Sequence, residues 1–112
     1  METGIPCKPY ITSREFRESR KIVYGYSLES FGYLQAERYR EKIGKALSML
    51  PRYYNLFPEC RHIPTKSRMY RNIILDAHLI IYRITPQRIE VLDIVYAASS
   101  IGKIRSTRRI SV

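Results

Sequence analysis

The sequence predicts an α+β fold, an N-terminal helical hairpin packed on a small antiparallel β-sheet in the order β-α-α-β-β-β. Three observations support it. Residues from Tyr33 to Leu50 carry a helical period. Three closely spaced runs between Tyr70 and Tyr96 are rich in Ile, Val, Leu and Tyr. The length, 112 residues, fits one domain with a single modest core. That domain is expected over residues 1–112, with a core over 8–98 and a basic C-terminal tail over 99–112.

After a short polar leader, Lys8 to Thr12 reads as a brief strand in which Tyr10 and Ile11 can pack. Thr12-Ser13-Arg14-Glu15 has the form of a capping box. The Thr12 hydroxyl and Glu15 carboxylate would satisfy the amide donors left unpaired where a helix starts. A helix from Ser13 to Ser30 follows, with Phe16, Arg20, Val23 and Ser27 at helical spacing and Gly32 as its stop.

The second helix has the stronger signal. Ala36, Tyr39, Ile43, Ala46, Leu47 and Leu50 share one face, while Glu37, Arg38, Arg40, Glu41, Lys42 and Lys45 cover the other. Pro51 is expected to end it, because proline lacks the amide proton for the next helical bond and disfavours helical geometry in the residue before it.

Residues 51 to 68, with Pro51, Pro58 and Pro64, read as an ordered loop. Tyr70–Leu75, His78–Ile84 and Ile89–Tyr96 then read as strands. They are joined by Asp76-Ala77 and Thr85-Pro86-Gln87-Arg88, links short enough only for antiparallel neighbours. Beyond Ser99-Ser100, Lys103, Arg105, Arg108 and Arg109 alternate with Ile101 and Ile104 in an amphipathic or disordered basic segment.

The chain carries 20 Lys and Arg against 10 acidic residues, a net charge of +10. Most of that excess lies after residue 60, so the positive field belongs to the C-terminal half. A polyanionic partner is implied, whether nucleic acid, anionic membrane or acidic protein. Cys7 and Cys60 are too few for a disulfide framework and predict free thiols in a reducing cytoplasm. Met1-Glu2-Thr3-Gly4 opens no signal peptide, and no apolar run approaches about 18 residues, so neither export nor membrane insertion is expected.

Tyr70-Arg71-Asn72-Ile73-Ile74-Leu75, His78-Leu79-Ile80-Ile81-Tyr82-Arg83-Ile84 and Ile89-Glu90-Val91-Leu92-Asp93-Ile94-Val95 together resemble the RelE/ParE superfamily of toxins. The family has a Tyr-Arg strand, an Ile-Tyr-Arg-Ile strand and a Val-Leu-x-Ile strand in this order. Ser30-Phe31-Gly32, the alanine-containing second helix and Leu50-Pro51 match its helical hairpin. The resemblance covers roughly residues 8 to 98. It implies the toxin of a type II toxin–antitoxin system, held in a hetero-oligomer by an acidic cognate antitoxin. Members include ribosome-dependent messenger RNA endonucleases and DNA gyrase inhibitors.

Arg61, His62, Lys66, Arg68 and Arg71 place five potentially cationic groups within eleven residues, and Arg83 joins them if its strand faces the same way. Such a cluster suits phosphodiester cleavage by a ribose 2′-hydroxyl, since arginine both binds phosphate bidentately and stabilises charge developing on its oxygens. It is equally read as a solvated face or an antitoxin-docking surface. The resemblance places the active surface of RNA-cleaving members at Arg61, Arg71, Arg83 and Tyr96. Arg71 and Arg61 would grip phosphate, and His62 or Tyr96 would handle protons. Lys66, Arg68, Arg83, Lys103, Arg105 and Arg108 would add affinity for nucleic acid.

No cofactor is implied, and no metal, because two Cys and two His lack any paired ligand spacing. Tyr82 is expected in the core, with its hydroxyl reaching the edge for a partner, and His78 to be structural. Ribosome-dependent messenger RNA cleavage is thus the first expectation. The chain departs from the nucleolytic members at Tyr96-Ala97-Ala98-Ser99-Ser100, where they carry histidine, arginine or lysine. That favours the alternative, a gyrase inhibitor without nuclease activity; a non-toxic basic nucleic-acid-binding module is the third possibility.

Overall fold

In the computed structural model, residues 6–112 are described; the polar leader expected at the N-terminus lies outside them. The elements are β1 (Tyr10–Thr12), α1 (Arg14–Phe31), α2 (Tyr33–Tyr53), β2 (Tyr70–Leu75), β3 (His78–Ile84), β4 (Ile89–Tyr96) and α3 (Ile101–Ser106). A 3-10 turn, Thr107–Arg109, follows. The expected α+β arrangement is present. β2, β3 and β4 form an antiparallel meander, and β1 adds to the outer side of β4 to give the order β1-β4-β3-β2.

β1 runs parallel to β4, so the sheet is mixed. The two α-helices between β1 and the meander free β1 from the tight-turn constraint that makes the other neighbours antiparallel. Its register pairs Tyr10 with Ile89 and Thr12 with Val91. The strand begins at Tyr10, two residues later than expected. Lys8 instead donates its backbone amide to the Pro51 carbonyl at 3.0 Å.

Side chains alternate across the sheet. His78, Ile80 and Tyr82 of β3 face the helical hairpin, with Ile73, Leu75, Ile89, Val91 and Ile94 from the neighbouring strands. They meet Phe16 of α1 and Ile43, Ala46, Leu47 and Leu50 of α2 in the main core. The other face carries a second core of Cys60, Ile63, Ile81, Leu92, Val95 and Ile104. A register shift makes this possible. Ile81 pairs with Asp93 and Tyr82 with Val91, so Leu92 is the extra residue and turns to the second face.

Tyr82 is fully buried in the main core, and its hydroxyl donates to the Tyr54 carbonyl at 2.6 Å. It thereby ties β3 to the end of α2.

Two local expectations are corrected, and a third, left between two alternatives, is decided. Ser13, not Thr12, caps α1. The Ser13 Oγ accepts from the Phe16 amide at 2.8 Å and donates to the Leu92 carbonyl at 2.6 Å, in a site only 2% exposed. Thr12 still belongs to β1, and its Oγ accepts from the Arg17 guanidinium at 3.1 Å.

The second correction is at Pro51, which lies inside α2 rather than ending it. Leu47, Leu50 and Tyr54 are buried at helical spacing around it. Each such side chain contributes about 1.5–3 kcal/mol on burial. Together they outweigh the roughly 3 kcal/mol proline penalty.

The third concerns the tail, for which amphipathic and disordered readings were open. It is ordered and amphipathic. Ser100 caps α3 through the Lys103 amide, and Ile104, 2% exposed, enters the second core. Gly32 stops α1 as expected, at φ +88°, where a side chain would be strained.

Ser13→Ala should therefore destabilise the fold by about 1–2 kcal/mol. Thr12→Ala should cost less than about 0.5 kcal/mol, since its only side-chain bond is exposed. Urea denaturation of both variants checks which residue caps the helix.

Candidate functional site

Arg71 and Arg83 lie on opposite faces of the sheet. Arg71 pairs with Tyr82 and so faces the hairpin, whereas Arg83 pairs with Tyr70 and faces the tail. Arg71 is held by three carbonyls. Its Nε donates to Arg68 O at 2.7 Å, and its Nη1 to Asn55 O at 3.0 Å and Phe57 O at 2.9 Å. Those bonds fasten the loop after α2 to β2. They occupy the Nε and Nη1 donors of the guanidinium.

Arg83 is the centre of a different network. Its Nη2 meets Glu90 Oε1 at 2.6 Å, and Arg88 Nε meets Glu90 Oε2 at 3.0 Å, with Glu90 12% exposed. Arg83 also donates to the Arg108 and Ile110 carbonyls, and Arg88 to the Val112 carbonyl. One carboxylate thus orients two guanidinium groups that clamp the tail to the sheet. Burial alone would raise the Glu90 pKa, but the bonds from Arg83 and Arg88 outweigh it and hold the carboxyl below its usual range.

A further group of cations has no ion-pair partner among the described residues. Arg61 and Lys66 on the loop, and Lys103, Arg105, Arg108 and Arg109 on the tail, are exposed. Arg105 Nε donates to the His62 carbonyl at 3.1 Å, which brings the loop and tail cations to one side of the molecule. Arg68 joins this loop but pairs with Glu59 at 3.5 Å, and its backbone sits at φ +55°. The result is a positive surface over the second core.

Tyr96 belongs to neither group. It is opposite His78 in the sheet, on the hairpin side, and the two rings stack with centroids 4.6 Å apart. His78 Nδ1 in turn lies 2.7 Å from the Tyr39 hydroxyl. Burial lowers the His78 pKa and pushes that of Tyr39 up to about 12.

The structure therefore brings Arg61, His62, Lys103, Arg105 and Arg108 towards one surface, with Lys66 and Arg68 on the same loop. It places Arg71 and Tyr96 on the hairpin side of the sheet, away from that surface, whereas Arg83 lies beneath the tail on the same side as the surface, with its guanidinium engaged by Glu90 and by the Arg108 and Ile110 carbonyls. The cluster of Tyr39, His78 and Tyr96 was not singled out by sequence reasoning. Strand pairing alone could have joined His78 to Tyr96, but the third member comes from a helix packed across the sheet. Among the described residues no group of three His, Cys, Asp or Glu side chains could hold a metal, and no helix is long and apolar enough to cross a membrane.

Residues 10–100 match the family model described as ParE toxin of type II toxin-antitoxin system, parDE. No curated protein matches. Among solved structures, one titled chromosomal ParDE TA system from P. aeruginosa superposes with a TM-score of 0.66 at 15% identity, covering 80% of this chain and 96% of that one. At that identity the likeness concerns the fold.

The Glu90 hub makes a pH test available. A carboxyl held below its usual value of 4.5 stabilises the fold above that pH and loses the contribution as the pH falls through its folded-state value. Wild-type stability should therefore drop below pH 4.5 more steeply than that of Glu90→Gln, which is uniformly weaker at neutral pH. Chemical denaturation between pH 3 and pH 7 compares the two slopes, and equal slopes would remove Glu90 as the acid-sensitive hub.

Proposed function

The chain belongs to the ParE toxins of type II toxin–antitoxin systems, and from that premise we propose that it arrests growth by binding DNA gyrase rather than by cutting messenger RNA. The observation that carries this reading is the separation of Arg71 from Arg83. Cleavage through a 2′-hydroxyl needs a phosphate grip and a proton-transfer group within hydrogen-bond reach of one reacting centre. Here each of the two strand arginines is engaged by the protein itself, on its own side of the sheet. Tyr96 is stacked on His78, in contact with neither of them.

An inhibitor that works by binding has other requirements. It needs an ordered scaffold and a surface matched to its target, with no convergence of acid, base and phosphate ligands. The exposed cations Arg61, Lys66, Lys103, Arg105 and Arg108 supply that surface. They suit the backbone of gyrase-bound DNA, with Arg68 at its margin. Affinity from such a surface is electrostatic and falls steeply with salt. In this mechanism Arg71 and Arg83 position the loop and tail that carry the contacts. The domain proposed to act in this way comprises the core over 8–98 and the packed tail.

The antitoxin is proposed to be a short acidic protein that neutralises this cytoplasmic toxin in a hetero-oligomer. The charge of +10 favours such a partner, and the similar structure from P. aeruginosa is titled a ParDE TA system.

Purified toxin added to DNA gyrase should inhibit supercoiling and trap cleavage complexes, while transcripts on translating ribosomes stay intact. The double variant Lys103→Glu/Arg108→Glu, at two exposed side chains, should lose about tenfold or more in potency without losing stability. Unchanged supercoiling at high toxin excess, or discrete codon-linked cuts by primer extension, would overturn the gyrase reading.

A further inference from the structure

The hairpin tip lies by the start of β3, and at the other end of that strand a depression of about 440 Å³ opens between four segments of the chain. Lys8 reaches it from the residues before β1, and Asn55 from the turn after α2. Ser67 and Arg71 come from the loop and β2, and Thr85 and Pro86 from the link between β3 and β4. Both charged side chains on its wall are cations.

Each cation is fixed in place by neutral oxygens. Arg71 Nε and Nη1 donate to the carbonyls of Arg68, Asn55 and Phe57, which leaves Nη2 without a hydrogen-bond partner among the described residues. Lys8 Nζ donates to the Thr85 carbonyl at 2.5 Å and the Pro86 carbonyl at 3.3 Å, and it lies 5.5 Å from the centre of the Tyr54 ring. An ammonium has three donors, so one remains. Neither cation has an ion-pair partner among the described residues. Glu59, opposite Arg71 in an isolated bridge, turns its carboxylate to the Thr65 amide and to Arg68 instead. Arg68 itself sits at φ +55°, a backbone conformation costly for a residue other than glycine, and its carbonyl is the one that holds Arg71 Nε.

The other strand arginine shows by contrast what this depression lacks. Arg83 and Arg88 stand together because Glu90 lies between them. Lys8 and Arg71 share a wall that carries no acid. Two like charges held at one half-buried depression repel each other, and an anion seated between them removes that cost. The further donors around it are the Ser67 hydroxyl, whose contact is with the Thr65 hydroxyl at 3.4 Å, and the Asn55 carboxamide. Donors of this kind, arranged on several sides, suit a tetrahedral oxyanion. A phosphate monoester carries about −1.5 to −2 at pH 7 and so balances both cations. A diester, with a single charge, would leave one of them unmet. Met69 and Ile84 make the remaining wall apolar, against which the organic part of a monoester can lie.

We propose that this depression binds a phosphate monoester, whose oxygens accept from Arg71 Nη2, Lys8 Nζ and the Ser67 hydroxyl. The group is that of a small mononucleotide or of the end of a nucleic-acid strand, which present the same oxygens. The site is separate from the exposed cations over the second core and independent of the gyrase target. A ligand there joins the residues before β1 to β2 and to the β3–β4 link, so its binding also stabilises the fold.

Calorimetry of the full-length toxin with adenosine 5′-monophosphate, and separately with inorganic phosphate, should show saturable one-to-one binding that also raises the thermal midpoint. Lys8→Gln keeps a donor for the Thr85 carbonyl and removes the charge. It should weaken both probes about tenfold. Ser67→Glu alters an exposed side chain, leaves the bonds of Lys8 and Arg71 in place, and brings a carboxylate that competes for the site. It should abolish binding. A single-stranded oligonucleotide with and without a 5′ phosphate separates the two sources. A preference of about tenfold for the phosphorylated strand, lost in Ser67→Glu, assigns the strand end. Mononucleotide binding with no such preference assigns the small molecule. The absence of saturable binding by any of these probes would overturn the proposal. So would affinity that survives unchanged in both variants, or adenosine binding as tightly as its monophosphate.

Discussion

The alternation of side chains along β3 is the constraint on which the rest of the arrangement depends. Successive residues of a strand point to opposite faces, and here both faces are covered. Ile80 and Tyr82 enter the core beneath the hairpin, while Ile81 enters the core beneath the loop and tail. A small chain seldom buries both sides of an antiparallel sheet. This one does so by returning its last fourteen residues across the face that the hairpin leaves open. The same alternation puts Arg71 and Arg83 on opposite faces.

The consequence for charge is a division of labour among the basic residues. Arg71, Arg83 and Arg88 are internal fasteners, bonded to carbonyls or to Glu90. Buried or half-buried guanidinium groups of this kind are stable only where their donors are matched. The exposed cations of the loop and tail, Arg61, Lys66, Lys103, Arg105, Arg108 and Arg109, have no ion-pair partner among the described residues. A net charge of +10 therefore overstates how much of the basic surface can meet a target.

Much of this was legible in the sequence. The strand boundaries from Tyr70 to Tyr96 followed from β-branched runs and short links, and the second helix from its apolar period. The features that were not legible depend on contacts distant in the chain. Thr12 and Ser13 both fit a capping position, and only the Leu92 carbonyl, 79 residues away, selects Ser13. Pro51 reads as a helix stop unless the burial of Leu50 and Tyr54 around it is known. In the candidate site, proximity along the chain suggested that Arg71 belonged with Arg61 and His62. The direction in which β2 presents its side chains was the missing information. His78 was assigned a structural role on position alone, and its contact with Tyr39 needs the packing of α2 across the sheet.

The parallel pairing of β1 with β4 bears on how the chain assembles during synthesis. β2, β3 and β4 can pair as soon as each is made, because their contacts are local. β1 emerges first yet finds its partner last: Ile89 donates to the Pro9 carbonyl, and Ser13 bonds to Val91 and Leu92. Closing a loop of that length carries an entropic cost that only the finished meander offsets. Until then α1 lacks its anchor at the N-terminal end, and the clamp from Arg83 waits on the tail carbonyls of Arg108 and Ile110, which are made later still. The basic surface over the second core is therefore incomplete until the ribosome has passed the tail residues Lys103 to Arg109.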